Sequence, residues 1–447
     1  MKYIKLSLIA TLLLAISTSC FKMEEEDIFD DNAVVRLDKA IANYKKILND
    51  KGGKWMLEYY SNSGEAGYIY LMSFNDNGSV TISGKNEFIG EVLVGKTEST
   101  FGSESSMWDV IGDNGPVLTF NTYNNIFHIF ANPEDIGQTD TDEQGYGHRG
   151  DYEFDIMKYS NDTLYLDGKK YEIHMLMTRV DNSVNDEEFF AKLDVTKASF
   201  SPLIKELYLT AQSGQRYICT DASTGLWSIY PEGGDKITET QTFNAIVTPT
   251  GLRFMRPLSI LPEYGDFAVQ DFKFDDSGLI AEDGQTTIRT APLGELFSDI
   301  RYSWRINTSL SKGTFLDAYN AVVAGCKSYN SSTLEEINFT NHVVSPITYG
   351  AVHFRIKLKS STNRLNCYLY KETKGSGNDV DITMTGEGDK NALVYRDKVP
   401  AMKQFVQLLN DTSFRVETDN PLAPTTVRLI DKNNSENYFT LSLYIPV

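Results

Sequence analysis

Gly90 to Thr97 reads Gly-Glu-Val-Leu-Val-Gly-Lys-Thr and matches the phosphate-loop spacing, which would set Lys96 on a β-phosphate and Thr97 on magnesium. That chemistry needs a preceding strand, a flexible turn of converging amides and a helix after the threonine. Here Val92-Leu93-Val94 fill the loop and Glu98-Ser99-Thr100-Phe101-Gly102 is no helix, so the segment reads as a strand and no nucleotide is expected. Gly145-Tyr146-Gly147-His148-Arg149-Gly150 likewise matches the dinucleotide fingerprint, yet it leads into the alternating stretch Asp151 to Ile156, a strand whose start offers a pyrophosphate nothing. The same region sets Asp140, Asp142, Gln144, Gly145 and Asp151 at positions 1, 3, 5, 6 and 12 of a calcium-loop template. Gln144 and Asp151 depart from the preferred ligands and no flanking helices are predicted. The expectation is a solvated acidic loop; calcium on Asp140, Asp142, Gln144 and Asp151 is the alternative, and no other cofactor is expected.

The histidines are His128, His148, His174, His342 and His353, with no His-Glu-x-x-His pattern and no pair four residues apart, so a zinc hydrolase has no local signature. His128 shares a strand face with Ile126 and Phe130 and reads as a core residue, whereas His174 reads as exposed. There is no Gly-x-Ser-x-Gly nucleophile turn. A glycosidase pair is defined by a separation in space, and the 61 Asp and Glu residues of this chain nominate none. Aromatic residues make up 12% of the chain and could stack on sugar rings, although strands favour them for packing in any case. Trp108, Tyr146, Trp227 and Tyr264 lie near turn residues and are the candidate ligand platforms.

The elements that must position these groups are mostly strands. Residues 32 to 51 form the clearest helix: Asn32 can cap it, Val34, Leu37, Ile41, Tyr44 and Leu48 recur at helical spacing, and Gly52-Gly53 ends it. From Lys54 the period becomes two, with Trp55, Leu57 and Tyr59 on one face and Lys54, Met56 and Glu58 on the other. Asn75-Asp76-Asn77-Gly78 turns one hairpin, and Asp167-Gly168 is expected to turn another as a two-residue loop. About eight to ten strands are predicted between Lys54 and Arg179, the pattern of a lipocalin-like up-and-down barrel or a sandwich. The acidic stretch from Asp181 to Lys197 marks a boundary with helical flavour. Strands resume from Leu203 to Thr290, where Asp275-Asp276-Ser277-Gly278 echoes the Asn75 turn without establishing a duplicated domain. The last third mixes helices near Leu316 to Lys327 and Met402 to Leu409 with strands and a closing hairpin. The fold class is therefore mainly β with a few helices: a barrel-like domain over 32–180, a second β-rich domain over 181–300, and an α+β region over 301–447 that could continue the second domain.

The chain opens with an export signal. Lys2 and Lys5 supply the charge, Leu6 to Ile16 an apolar run too short to span a bilayer, and Ser17-Thr18-Ser19-Cys20 a small-residue cleavage site. Cleavage after residue 19 would leave Cys20 for lipidation, and the mature protein would hang from the membrane by acyl chains. Residues 20–31 read as an acidic tether. Removing residues 1–19 takes away two basic residues and leaves a net charge of −21 over 428 residues, a field that disfavours nucleic acid and anionic headgroups as partners. Only Cys219, Cys326 and Cys367 then remain, spaced unlike metal ligands and able to form at most one disulfide among themselves.

Several segments together call up a family: Gly53-Lys54-Trp55, Ser105 through Tyr123, Gly150-Asp151-Tyr152-Glu153-Phe154, and Asp167-Gly168-Lys169-Lys170 with Met177-Thr178. The chain resembles the domain-of-unknown-function 4302 lipoproteins of Bacteroidetes from the signal to about residue 290. The resemblance implies a surface lipoprotein on the outer membrane, associated with import systems of the SusC and SusD type, and it carries no active-site residue. The expected function is capture of a glycan or peptide nutrient, more in keeping with a binding protein than an enzyme. A hydrolase whose site converges only in the fold, and a structural or adhesive surface protein, are the alternatives.

Overall fold

The computed structural model describes residues 32–62, 64–133, 147–258, 269–341, 350–359 and 362–444. Among the described residues, twenty-four antiparallel strands close into three successive eight-stranded barrels. The first comprises β1 (Lys54–Tyr60), β2 (Gly67–Phe74), β3 (Ser79–Asn86), β4 (Thr100–Gly112), β5 (Pro116–Phe120), β6 (Glu153–Ser160), β7 (Thr163–Gly168) and β8 (His174–Arg179). Each strand pairs with its neighbour in sequence, and β1 closes on β8 through pairs such as Leu57 with Met177. This is the lipocalin-like up-and-down order, but the interior is solid. Trp55, Leu57, Tyr59, Tyr70, Phe120, Phe127 and Phe154 all point inward and are buried, and the rings interlock edge to face, as where Tyr59 meets Tyr70 at 5.8 Å. An antiparallel barrel of eight strands has just the width that side chains of this size fill.

Helix α1 (Ala33–Asn49) precedes the first barrel, capped by Asn32, whose Oδ1 accepts from the Val35 amide at 2.9 Å; it ends at Asn49, short of the expected glycine stop, where Asp50 turns to extended backbone, and Lys51, Gly52 and Gly53 follow at positive φ. The phosphate-loop segment is neither a phosphate loop nor a strand. Asn86 caps helix α2 (Glu87–Val94), with its side chain accepting from the Ile89 amide, and Gly95 ends that helix at φ 68°. Gly90 therefore lies inside the helix, and Lys96 and Thr97 follow it, the reverse of the order a phosphate loop requires. The Asp167-Gly168 hairpin is also corrected. The tight turn falls instead at Asn161-Asp162, both at positive φ, between the paired Ser160 and Thr163. Asp167 and Gly168 remain in β7, and residues Lys169 to Ile173 make a wider loop whose Lys170 and Tyr171 amides both donate to the Asp151 carboxylate.

Helix α3 (Asp186–Lys197) links the first two barrels and is bound to the first by ion pairs Lys54–Asp186 and Lys85–Asp194. The second barrel comprises β9 (Leu207–Thr210), β10 (Arg216–Thr220), β11 (Leu226–Pro231), β12 (Gln241–Thr248), β13 (Gly251–Leu258), β14 (Val269–Asp275), β15 (Gly278–Ala281) and β16 (Thr287–Arg289). It closes when β16 returns to β9, with Ile288 opposite Leu209. The Asp275–Gly278 turn joins the sixth and seventh strands here, whereas Asn75–Gly78 joins the second and third of the first barrel, so the two turns are not equivalent.

The third barrel runs from Ser303–Lys312 to Asn434–Tyr444. Helices Gly313–Asn330 and Pro400–Asn410 contribute Phe315, Val322, Met402 and Phe405 to the same core as Trp304, Phe339 and Phe439. Among the described residues no helix is long and apolar enough to cross a membrane.

Candidate functional site

Two cavities among the described residues lie at the seam between the first and second barrels. The outward face of β1 and β2 is not solvated: Tyr60, Ile69 and Leu71 pack against Phe190 and Leu193 of α3 and Ile246 of β12. Strand β1 is thus buried on both faces, which places the carboxylate of Glu58 inside protein at 2% exposure. Its partner comes from the other barrel: Arg253 Nε lies 3.1 Å from Glu58 Oε2, and Arg253 Nη2 lies 2.9 Å from Asp271 Oδ1.

A break in strand register opens a recess beside this triad. Arg253 pairs with Asp271, but the next pair is Leu258 with Val269, so β13 carries extra residues against β14. Pro257 lies in the bulged stretch, where a residue without an N–H is tolerated. The carbonyls that lose their ladder partners are satisfied by Gln270, whose Nε2 donates to Phe254 O at 2.9 Å and Met255 O at 3.2 Å. The resulting cavity of about 380 Å³ is lined by Glu58, Tyr60, Tyr165, Met175, Arg253, Arg256 and Asp271, with the His174–Asp167 pair at 2.5 Å also in its wall.

Electrostatics follow from burial. Removal from water pushes the Glu58 carboxyl up to about 7, with Arg253 opposing and Asp271 adding to the rise. Asp271 is raised for the same leading reason, and burial also holds the Tyr60 hydroxyl well above its usual range. Among the described residues the Tyr60 hydroxyl has no hydrogen-bond partner, and Arg253 Nε, although beside Glu58, is not aimed to donate to it. The recess therefore presents a cation, a carboxyl able to be neutral or charged near pH 7, a second carboxylate and unspent polar atoms beside aromatic and thioether surface. Such a set can hydrogen-bond hydroxyls or a carboxylate and stack on a ring.

Of the candidates nominated from sequence, Trp108, Trp227 and Asp151 lie outside this recess. Trp108 is 6% exposed, packs on Phe74 at 4.9 Å and donates its indole N–H to Ser79 O at 3.1 Å. Trp227 is fully buried between Phe200 and Phe254. Neither offers a ring face to solvent, so the platform reading is corrected for both: inward strand positions near turns still belong to the core. Tyr146, Tyr264, Asp140, Asp142, Gln144 and Cys20 lie outside the described residues, as does His342. Asp151 engages both carboxylate oxygens with backbone amides, the work of a turn cap. Among the described residues no three His, Cys, Asp or Glu side chains converge as metal ligands.

His128 is buried and receives the Asn124 amide on Nδ1 at 3.0 Å, His148 is buried against Glu65 at 3.0 Å, and His174 is exposed. Cys219, Cys326 and Cys367 are separate buried thiols. Sequence reasoning missed Glu58, Tyr60, Arg253 and Asp271. Two signals could have found them: Met56 and Tyr60 are apolar on the face assigned to solvent, and Pro257 interrupts a strand pattern.

No curated protein matches the chain. Among solved structures, the DNA polymerase III subunit beta from Borrelia burgdorferi in complex with a natural product aligns over 92% of this chain and 96% of that one, at 12% identity and a TM-score of 0.13, far too low for a shared fold. The family model described as Domain of unknown function (DUF4302) matches residues 25–276, more than half of the sequence and every residue named in the Glu58–Arg253–Asp271 triad. This chain belongs to that family.

Proposed function

We propose that this protein is a ligand-capturing surface lipoprotein, held to the outer membrane through Cys20, that takes up a nutrient at the seam between its first two barrels and passes it to an adjacent import system of the SusC and SusD type. The supporting observation is the recess of about 380 Å³ with a guanidinium bracketed by two carboxyl groups and a buried, unpartnered tyrosine hydroxyl. Planar Arg, Asp and Glu side chains match adjacent hydroxyl groups, and Tyr165 in the wall offers an aromatic surface, so a glycan fits better than a peptide. A hydrolase would use Glu58 as a proton donor, since its raised pKa suits that role. Against it, both carboxyl groups face the same guanidinium, and neither is left to activate water.

Calorimetric titration of the full chain against glycan and peptide panels tests this reading. A saturable glycan is expected, and Arg253→Met should weaken it roughly 10- to 100-fold, the loss of a charge-assisted hydrogen bond. Tyr60→Phe should weaken binding by about fivefold without loss of stability, because no partner is left unpaired. Binding of no glycan or peptide at millimolar concentration, or unchanged affinity in both variants, would overturn the proposal. Mass spectrometry of the N-terminal peptide from native membranes checks the acylation of Cys20.

A further inference from the structure

A second cavity, of about 210 Å³, lies along the same inter-barrel seam and carries a different chemistry. Its walls come from three sources: the start of β2 with Tyr68, the facing ends of α2 and α3 with Glu87 and Lys197, and the second barrel with Phe200, Trp227 and the Ala222–Gly225 turn. That turn is pressed onto the first barrel. Gly225 adopts φ +78°, and a Cβ there would stand 2.7 Å from Ala66 Cβ. Asn244 ties the seam further by donating to Glu65 O.

Three polar groups of this cavity are unspent. The Trp227 indole N–H is fully buried and has no hydrogen-bond partner among the described residues. An orphaned buried donor costs about 1–3 kcal/mol, which a ligand acceptor would remove. Lys197 and Glu87 make no ion pair, with each other or with any other described residue, although Glu87 is close enough to act on the titration of Lys197. Asp194, the other acid beside Lys197, is engaged by Lys85. Lys197 is exposed, yet desolvation by the protein around its ammonium lowers its pKa, with Asp194 and Glu87 opposing. A cation and an anion thus share one small aromatic-walled cavity without neutralising each other.

We infer that this cavity binds a small zwitterion, an α-amino acid, with its carboxylate on Lys197 and the Trp227 indole N–H and its ammonium on Glu87. The volume suits this class, being below the roughly 300–1,000 Å³ of sites for larger ligands. Tyr68 and Phe200 supply surface for the amino acid's own side chain. The site is separate from the recess around Arg253 and does not depend on the glycan reading.

The test is calorimetric titration of the full chain with glycine, L-alanine and L-leucine, and with L-alanine methyl ester and N-acetyl-L-alanine as blocked controls. At least one free amino acid should bind, with the blocked forms about tenfold or more weaker. Lys197→Met should weaken the free amino acid about tenfold and Trp227→Phe about threefold, while Lys432→Met, exposed on the third barrel, leaves amino-acid affinity unchanged. If no amino acid saturates the protein at about 20 mM, if the blocked forms bind as well as the free ones, or if Lys197→Met has no effect, the inference fails. A glycan that still binds in that case leaves the recess reading intact.

Discussion

Replacing Glu58 by Gln should remove most of one pH-dependent component of stability. The Glu58 carboxyl is raised from 4.5 to about 7 in the folded protein because it is buried. Between those values the folded state holds a proton that the unfolded chain has released, so stability falls as pH rises through that window. Each pH unit that separates the folded and unfolded values is worth about 1.36 kcal/mol, so the full effect is about 3 kcal/mol, of which about 2.5 kcal/mol is expressed between pH 5 and pH 8. At 2% exposure no solvent screening reduces it. Glutamine keeps the shape and cannot ionise. Hydrogen exchange of peptides covering β1 and β2, measured on both proteins at each pH so that intrinsic exchange chemistry cancels, reads the opening free energy of this seam. The wild type should lose about 2.5 kcal/mol more than Glu58→Gln between pH 5 and pH 8. Two parallel curves, offset by a constant, would refute the burial argument.

Two further outcomes follow from the packing. Burial pushes the thiols of Cys219 and Cys367 up to about 12 and that of Cys326 to about 11, so Ellman's reagent should label none of the three in the native chain at pH 8 and all three in denaturant. Gly225→Ala combines a positive φ with a Cβ clash against Ala66, and thermal unfolding should show a loss of about 1–2 kcal/mol; an unchanged midpoint would mean that the turn moves away from the first barrel at no cost.

The first barrel was legible because its strands obey strict alternation: Trp55, Leu57 and Tyr59 all face inward, and eight strands between Lys54 and Arg179 with short turns close naturally. Alternation says nothing about what covers the other face. Glu58 reads as solvated until a second barrel is laid over it, and no local pattern links it to Arg253 almost two hundred residues on. The phosphate-loop match misled about local structure because Asn86, a good N-cap, starts a helix in an apolar run that also suits a strand. Asp167-Gly168 looked like the better type I′ turn, yet Asn161-Asp162 took the positive φ angles because Asp167 and Gly168 are held in β7 opposite Asp155 and Phe154. Trp108 and Trp227 followed the packing tendency of aromatics in strands rather than the rarer display of a ring at a turn.

The return of β16 to β9 has a practical consequence for anyone shortening this polypeptide. The family match stops at residue 276, just after β14, and a fragment cut there would lack β15 and β16. Its remaining strands would end in two raw borders, on β14 and on β9, each with a row of amides and carbonyls seeking company. Such a fragment should clump, and a workable shortened form must run at least through Arg289, where the ring is complete.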